Sequence, residues 1–217
     1  SEGADECELL VGVWDANQLA IKLLMNAGYG FLGTPMSPLP HRGLAMCITR
    51  YGRFMLEQAQ RYTLARYGTF DNVTTKPEDR TEEDLHRIAQ GRSLEDLRRD
   101  AKGFDIVYGD TDSIMCKWAL SEDLKGKLNG SVEQQNEVLR WVFEKAREAS
   151  KGATKYINRH FCYDTVWGED GEIKEGSMDL EFEKVFFPSH FYEMKRYLYR
   201  KIADTPDVTT GQVLAQG

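Results

Sequence analysis

No run of about 18 apolar residues occurs in the 217-residue sequence, which excludes a helical membrane span. The N-terminal "SEGADECELL" lacks the basic and apolar blocks of a secretory signal, so no leader is expected. Four cysteines (Cys7, Cys47, Cys116 and Cys162) are scattered, with neither a CxxC pair nor zinc-ligand spacing. That pattern points away from a disulfide scaffold and towards a reduced, intracellular setting. Positive charge is short: 28 Lys and Arg face 35 Asp and Glu, a net −7 that taken alone argues against nucleic-acid binding. Internal repeats and a βαβ rhythm are also missing.

An apolar fraction of 41% is enough for a real core. The charge is unevenly spread, and the distribution matters more than the sum. Arg42, Arg50, Arg53, Arg61 and Arg66 are opposed only by Glu57, and Lys195, Arg196, Arg200 and Lys201 form a second basic cluster. Trp14 to Tyr29 has helical spacing, with Leu19, Ala20, Leu23 and Leu24 on one face, before Gly28 and Gly30 end or tighten it. "GTPMSPLPHRG" reads as an extended or turned connector, and Leu44 to Tyr67 as a second long helix. Residues 71–102 are charge-dense and read as an exposed insertion with one or two short helices. Ser131 to Ser150 reads as an amphipathic helix with Ser131 as N-cap. Helices mixed with antiparallel strands make the expected class α+β.

"VYGDTDSIMCKW", Val107 to Trp118, places Asp110 and Asp112 in the middle of two alternating apolar runs. Phe104, Ile106 and Tyr108 line one strand face, and Ile114, Cys116 and Trp118 line the other. Gly-Asp-Thr-Asp is good turn chemistry, and an isolated DxD is weak evidence of anything more. A hairpin tip holding two carboxylates, however, supplies the hard oxygen ligands that suit Mg²⁺ or Mn²⁺. Two further constellations each have a plain alternative. Lys22, Asn26 and Tyr29, followed by Gly30, put a cation, an amide and a ring on one helical face. That face suits a triphosphate and a base, or is merely solvated. "EMKRYLYRK", Glu193 to Lys201, interleaves cations with Tyr197 and Tyr199, as a nucleic-acid groove or a protected edge strand would.

In this order the three stretches resemble the core of the family B (α-like) DNA polymerases. "KLLMNAGYG" resembles the K-x-x-x-N-S-x-Y-G fingers helix, "YGDTDS" the metal-binding hairpin, and "MKRY" the K-K-R-Y segment. "ITRYGRFML" resembles the T-x-x-G-R helix, and "LEFEKVFFP" the strand leading to K-K-R-Y. Ala27 stands where that family commonly has serine, and Met194 where it has the first lysine.

The resemblance implies an antiparallel-sheet palm with one or two long helices. It implies a lead-in at 1–13, a fingers helix at 14–33, a palm at 34–70 and 103–201, and a tail or start of a thumb at 202–217. The implied activity is template-directed nucleotidyl transfer from dNTPs to a primer 3′-OH on primer–template DNA, by a two-metal mechanism using Mg²⁺. Asp112 is then the principal metal ligand and Asp110 its companion, with Glu181 (or Glu183) as an auxiliary acid. Lys22 meets the triphosphate, and Asn26, Tyr29 and Gly30 shape the pocket for the nascent base pair. Lys195, Arg196 and Tyr197 hold the primer–template. The family's other aspartate motif, D-x-x-S-L-Y-P, does not occur in the sequence. The expectation is therefore half a metal site, completed by a larger polymerase subunit or by the rest of a longer chain that also carries the exonuclease. The expected location is wherever DNA is replicated, such as the cytoplasm of a prokaryote. A non-catalytic DNA-binding or assembly subunit is the alternative. A metal-dependent nuclease would use the same acids without needing the lysine helix.

Overall fold

The computed structural model describes residues 2–110, 112–161, 163–164, 174–176, 178–193, 196–203 and 205–216. The chain divides into two compact units, Ser1–Phe54 and Met55–Gly217. Among the described residues, no helix is long and apolar enough to cross a membrane.

In the first unit, α1 runs unbroken over Glu2–Gly33, so residues 1–13 are no separate lead-in and Gly28 and Gly30 do not end the helix. The physical reason is that the first proline is Pro35; until then nothing removes a backbone donor, and scattered glycines lower helix propensity without breaking it. Apolar side chains along it, including Leu9, Trp14, Leu19, Ile21 and Leu24, are exposed. After the connector, α2 (Arg42–Tyr67) opens with the His41 Nδ1 accepting from the Leu44 N–H at 3.0 Å, and it continues into the second unit.

The second unit is α+β with antiparallel sheets, as the sequence implies. After α2 come a 3₁₀ turn (Pro77–Asp79), α3 (Glu82–Gln90) and α4 (Leu94–Asp100). The hairpin β1 (Phe104–Asp110) and β2 (Ser113–Trp118) follows, entered through Gly103, whose φ of 81° favours glycine. Then come α5 (Glu122–Lys127), α6 (Val132–His160) and the short pair β3 (Tyr163–Asp164) and β4 (Lys174–Glu175). Strands β5 (Val185–Glu193), β6 (Arg196–Ile202) and β7 (Gln212–Gln216) form a three-stranded antiparallel sheet in that order. Within the stretch expected as a tail or start of a thumb, β7 pairs along β6 from Tyr197↔Gln216 to Lys201↔Gln212.

Helix α6 begins as its sequence requires, with Ser131 and Gln134 in a reciprocal capping box. It is long enough to serve two cores. Its first turns bury Leu139 and Phe143 against Val185, Ile202 and Val208 of the sheet region. Its last turns bury Ala153, Tyr156 and Ile157 with Met55, Tyr62 and Leu64 of α2 and with Phe104 and Ile106 of β1.

Residues 71–102 differ from the expectation of an exposed insertion. Leu85, Ile88, Ala89 and Leu97 belong to that second core, with the charged residues turned outwards. A charge-dense composition hides a narrow apolar stripe of one or two residues per turn. Arg80 is itself buried; its Nη1 donates to the carbonyls of Gly68 (2.7 Å) and Ala65, and its guanidinium lies over the Phe70 ring. These bonds satisfy carbonyls left over at the end of α2. Arg80→Met is expected to lower stability by about 3 kcal/mol, read as a lower urea midpoint with unchanged slope.

A histidine pair ties α3 to α6. His86 stacks on His160 at 4.4 Å, and its Nδ1 lies 3.1 Å from the Tyr156 hydroxyl. Burial, together with His86, pulls the His160 pKa below its ordinary 6.5, against the opposing Glu82 carboxylate. Below that value the unfolded chain takes up the proton more readily than the folded one. Stability from this site is therefore full above pH 6.5 and is lost as pH falls towards the lowered folded value. His160→Gln is expected to flatten the fall in melting temperature between about pH 7 and pH 5.

Candidate functional site

The hairpin register runs from Phe104↔Trp118 to Asp110↔Ser113, with Asp112 in the turn between the strands. Thr111 lies outside the described residues, and so does the side chain of Asp110. The backbone of Asp110 closes β1, and Asp112 is exposed in the turn. The base of the hairpin is apolar. Tyr67, Phe104 and Trp118 pack ring against ring at 5.2–5.8 Å, and burial raises the Tyr67 pKa. Burial, with the Asp105 charge adding, pushes the Cys116 thiol up to about 12, so it packs without forming a thiolate near neutral pH.

Between base and tip, the register shifts at Val107: Ile106 faces Cys116 while Tyr108 faces Met115. Such a bulge re-aims the residues that follow it. Arg98 of α4 donates from Nη2 to the Ile106 carbonyl at 2.8 Å, beside the bulge. A Cβ added at Gly109 would stand 3.2 Å from Gln60 Nε2 of α2 and 3.4 Å from the Ser113 carbonyl. The Tyr108 ring meets Tyr197 of β6 at 5.9 Å. Behind the turn, the hairpin is thus contacted by α4 and β6, and α2 approaches it closely at Gly109. Sequence reading missed Gln60 and Arg98 as supports, and no motif marks either.

The remaining predicted residues are distributed as follows. Lys22, Asn26 and Tyr29 lie on one face of α1 by helical spacing; Lys22 is exposed, and the side chains of Asn26 and Tyr29 lie outside the described residues. Gly30 accepts at its carbonyl from the Thr34 hydroxyl (3.1 Å), and a Cβ there would meet nothing within 4 Å. Lys22 belongs to the first compact unit and Asp112 to the second. Glu181 is exposed in the irregular stretch before β5, while Glu183 pairs with Lys184 at 2.9 Å. That stretch docks along α6, where Asn158 and Met178 exchange two hydrogen bonds of 2.7 and 3.0 Å. Lys195 lies outside the described residues; Arg196 is exposed and pairs with Glu193 at 3.3 Å; Tyr197 is buried.

The basic stripe of α2 is not one surface. Arg61 bonds Glu57 and the carbonyls of Ala89 and Arg92, and Arg66 bonds Glu148 and the Pro77 carbonyl. Both are internal braces. Arg42, Arg50 and Arg53 remain exposed.

The donor type at the tip suits Mg²⁺, since two carboxylates a residue apart offer hard oxygens. Water ordinarily fills the rest of its octahedral shell. Among the described residues, no three His, Cys, Asp or Glu side chains stand together to hold a metal.

The family model for DNA polymerase family B matches residues 4–146, which include the Lys22 helix and the aspartate hairpin. The chain belongs to DNA polymerase family B. It is 27% identical over 195 residues to the DNA polymerase delta catalytic subunit of Mesocricetus auratus, covering 90% of this chain and 12% of that protein. A DNA polymerase of Paramecium bursaria Chlorella virus NY2A is 26% identical over 200 residues, covering 92% and 15%. The delta catalytic subunit of Schizosaccharomyces pombe is 26% identical over 197 residues, covering 90% and 13%. The chain thus spans 12–15% of the length of these curated relatives. No solved structure matches it. The family match ends before β6, so the Arg196–Tyr197 segment is placed by the fold and not by that model.

Crowding at Gly109 gives a test of how the hairpin is seated. Gly109→Ala is expected to be nearly neutral, because the amide end of Gln60 can move. Gly109→Val is expected to cost about 1–3 kcal/mol in thermal or urea unfolding.

Proposed function

We propose that this chain is a component of a DNA polymerase that carries half of a shared metal site and part of the nucleotide-binding surface. The observation that supports this most directly is a family B chain whose aspartate hairpin is contacted behind its turn by Arg98 and Tyr197 while Asp112 stays in solvent. Exposure leaves the Asp112 carboxylate open to ligands, and support behind the turn limits the reorganisation needed when ligands bind.

In this reading Asp112 and Asp110 hold Mg²⁺, with Glu181 or Glu183 as an auxiliary acid. Bound there, the two metal ions would activate the primer 3′-oxygen and neutralise the leaving pyrophosphate. Lys22 neutralises the triphosphate of an incoming dNTP, while Asn26, Tyr29 and Gly30 shape the pocket around the nascent pair. Lys195 and Arg196 position the primer–template backbone. The remaining carboxylate comes from outside these residues, on a larger polymerase polypeptide. The exposed apolar side chains along α1 favour such a partner, because a helix apolar on several sides is normally enclosed.

The test is primer extension with Mg²⁺ and dNTPs, using the native complex purified through this chain. Template-dependent extension is expected, and Asp112→Ala should reduce it by about 10³-fold or more while the complex still assembles. Undiminished extension by the variant complex would remove Asp112 from the mechanism and leave the assembly reading. Primer shortening without extension, lost in the Asp112→Ala complex, would instead identify a nuclease that uses this hairpin.

A further inference from the structure

We propose that the exposed face of α6 around Arg147 is a docking groove for an acidic peptide segment of a partner protein, one that sets carboxylates beside an apolar side chain. This goes beyond the nucleotide and metal roles proposed above and uses none of their residues.

Arg140, Glu144, Arg147 and Lys151 follow one another at helical spacing along one exposed face of α6. At 1.5 Å per residue they span about 16 Å of the helix. With Phe143 and Pro206 they line a groove of about 360 Å³. Glu148 also borders the groove, but its carboxylate is held by Arg66 at 3.2 Å and by Lys145 at 2.9 Å. Among the described residues, Arg140, Arg147 and Lys151 have no ion-pair partner. Cations therefore outweigh Glu144 and Glu148 here, in a chain whose net charge is −7.

Arg147 is the fixed point of this face. Its guanidinium lies over the Phe143 ring at 5.6 Å and the Phe182 ring at 5.8 Å, and those two rings meet edge to face at 5.2 Å. A guanidinium resting on rings keeps its in-plane N–H groups for an oxyanion and has less rotamer freedom left to lose on binding.

Carboxylates and phosphates both satisfy such donors, and the form of the groove favours a peptide. A continuous row of phosphates carries negative charge past Glu144, where it is repelled, and leaves the apolar floor of Phe143 and Pro206 unused. A peptide can place carboxylates beside Arg140, Arg147 and Lys151 alone and lay an apolar side chain on that floor.

The experiment measures binding of the full chain to fluorescent probes by anisotropy: a random copolymer of glutamate and tyrosine, polyglutamate, and an oligothymidylate. The parent chain is expected to bind the copolymer several-fold more tightly than polyglutamate, and the oligothymidylate most weakly. Arg147→Glu and Lys151→Glu should each weaken copolymer binding about tenfold, while Lys117→Glu, an equal charge change at an exposed position of β2, should alter it less than about twofold. Lys151 is exposed and has no ion-pair partner among the described residues, so its variant decides the matter if Arg147→Glu loosens the Phe143–Phe182 packing.

Equal binding of copolymer and polyglutamate, or an equal loss with Lys117→Glu, would reduce the groove to unspecific charge and overturn the proposal. Tightest binding of the oligothymidylate, lost in Lys151→Glu, would assign the face to nucleic acid and overturn it. So would a dimer in sedimentation velocity that Lys151→Glu abolishes, since the occupant would then be a second copy. Binding of none of the probes also overturns it. No outcome involves Asp112 or Mg²⁺, so the polymerase reading stands or falls separately.

Discussion

The hairpin that carries Asp112 is the element on which the second unit depends, because it runs from a buried base to an exposed turn. A turn at the edge of a fold is ordinarily mobile unless the strands behind it are fixed. The solution is to bury everything immediately behind the tip. Phe104 and Ile106 are inside the core, Trp118 and Tyr67 wedge the strand ends, and Gly109 lets α2 approach the strand closely. Apolar burial at about 25 cal/mol per Å² supplies the energy, and three separate elements supply the direction.

That burial depends in turn on α6, whose two halves serve two cores. One half packs the three-stranded sheet; the other packs α2 and the hairpin. A single rigid helix therefore sets the spacing between the aspartate hairpin and β6, and the Tyr108–Tyr197 contact closes the gap from the other side. Charged residues participate in this framework more than the composition suggests. Arg61, Arg66 and Arg80 all donate to backbone carbonyls of neighbouring segments, joining α2 to the chain between Pro77 and Arg92. Five donors in a fixed fork make arginine suited to gathering several carbonyls at once.

Much of the fold was legible because its signals are local. The alternation of Phe104, Ile106, Ile114 and Cys116 marks a hairpin, and Ser131 with Gln134 marks the start of α6, where the capping box is found. The charge-dense 71–102 segment was misread for an equally physical reason. Its contribution to the core comes from Leu85, Ile88, Ala89 and Leu97, too few for window composition to register, while their burial depends on partners distant in sequence. The β7 strand was missed similarly: "QVLAQ" is short, and only β6 beside it makes it a strand. At the site, residue identities were legible from the resemblance, whereas the supports were not. Nothing in the local sequence distinguishes Gln60 from an ordinary helix-surface glutamine until Gly109 is found against it.

Tyr197 shows why residue type and residue role separate here. An aromatic ring among cations suits a nucleic-acid groove, and the same composition suits a stack of rings on a sheet flanked by solvated charges. Sequence alone weighs both equally, since each requires Tyr197, Tyr199 and nearby Arg196. A ring face, however, can be covered only once. Tyr108, Phe186, Phe191 and Tyr199 lie around Tyr197, and the Tyr108 ring comes from the other sheet. Arg196, one residue earlier and pointing to the opposite side of β6, remains exposed. Strand alternation thus gives the two neighbours different surroundings: the cation faces outwards, and the ring faces inwards beside Tyr108 of the hairpin.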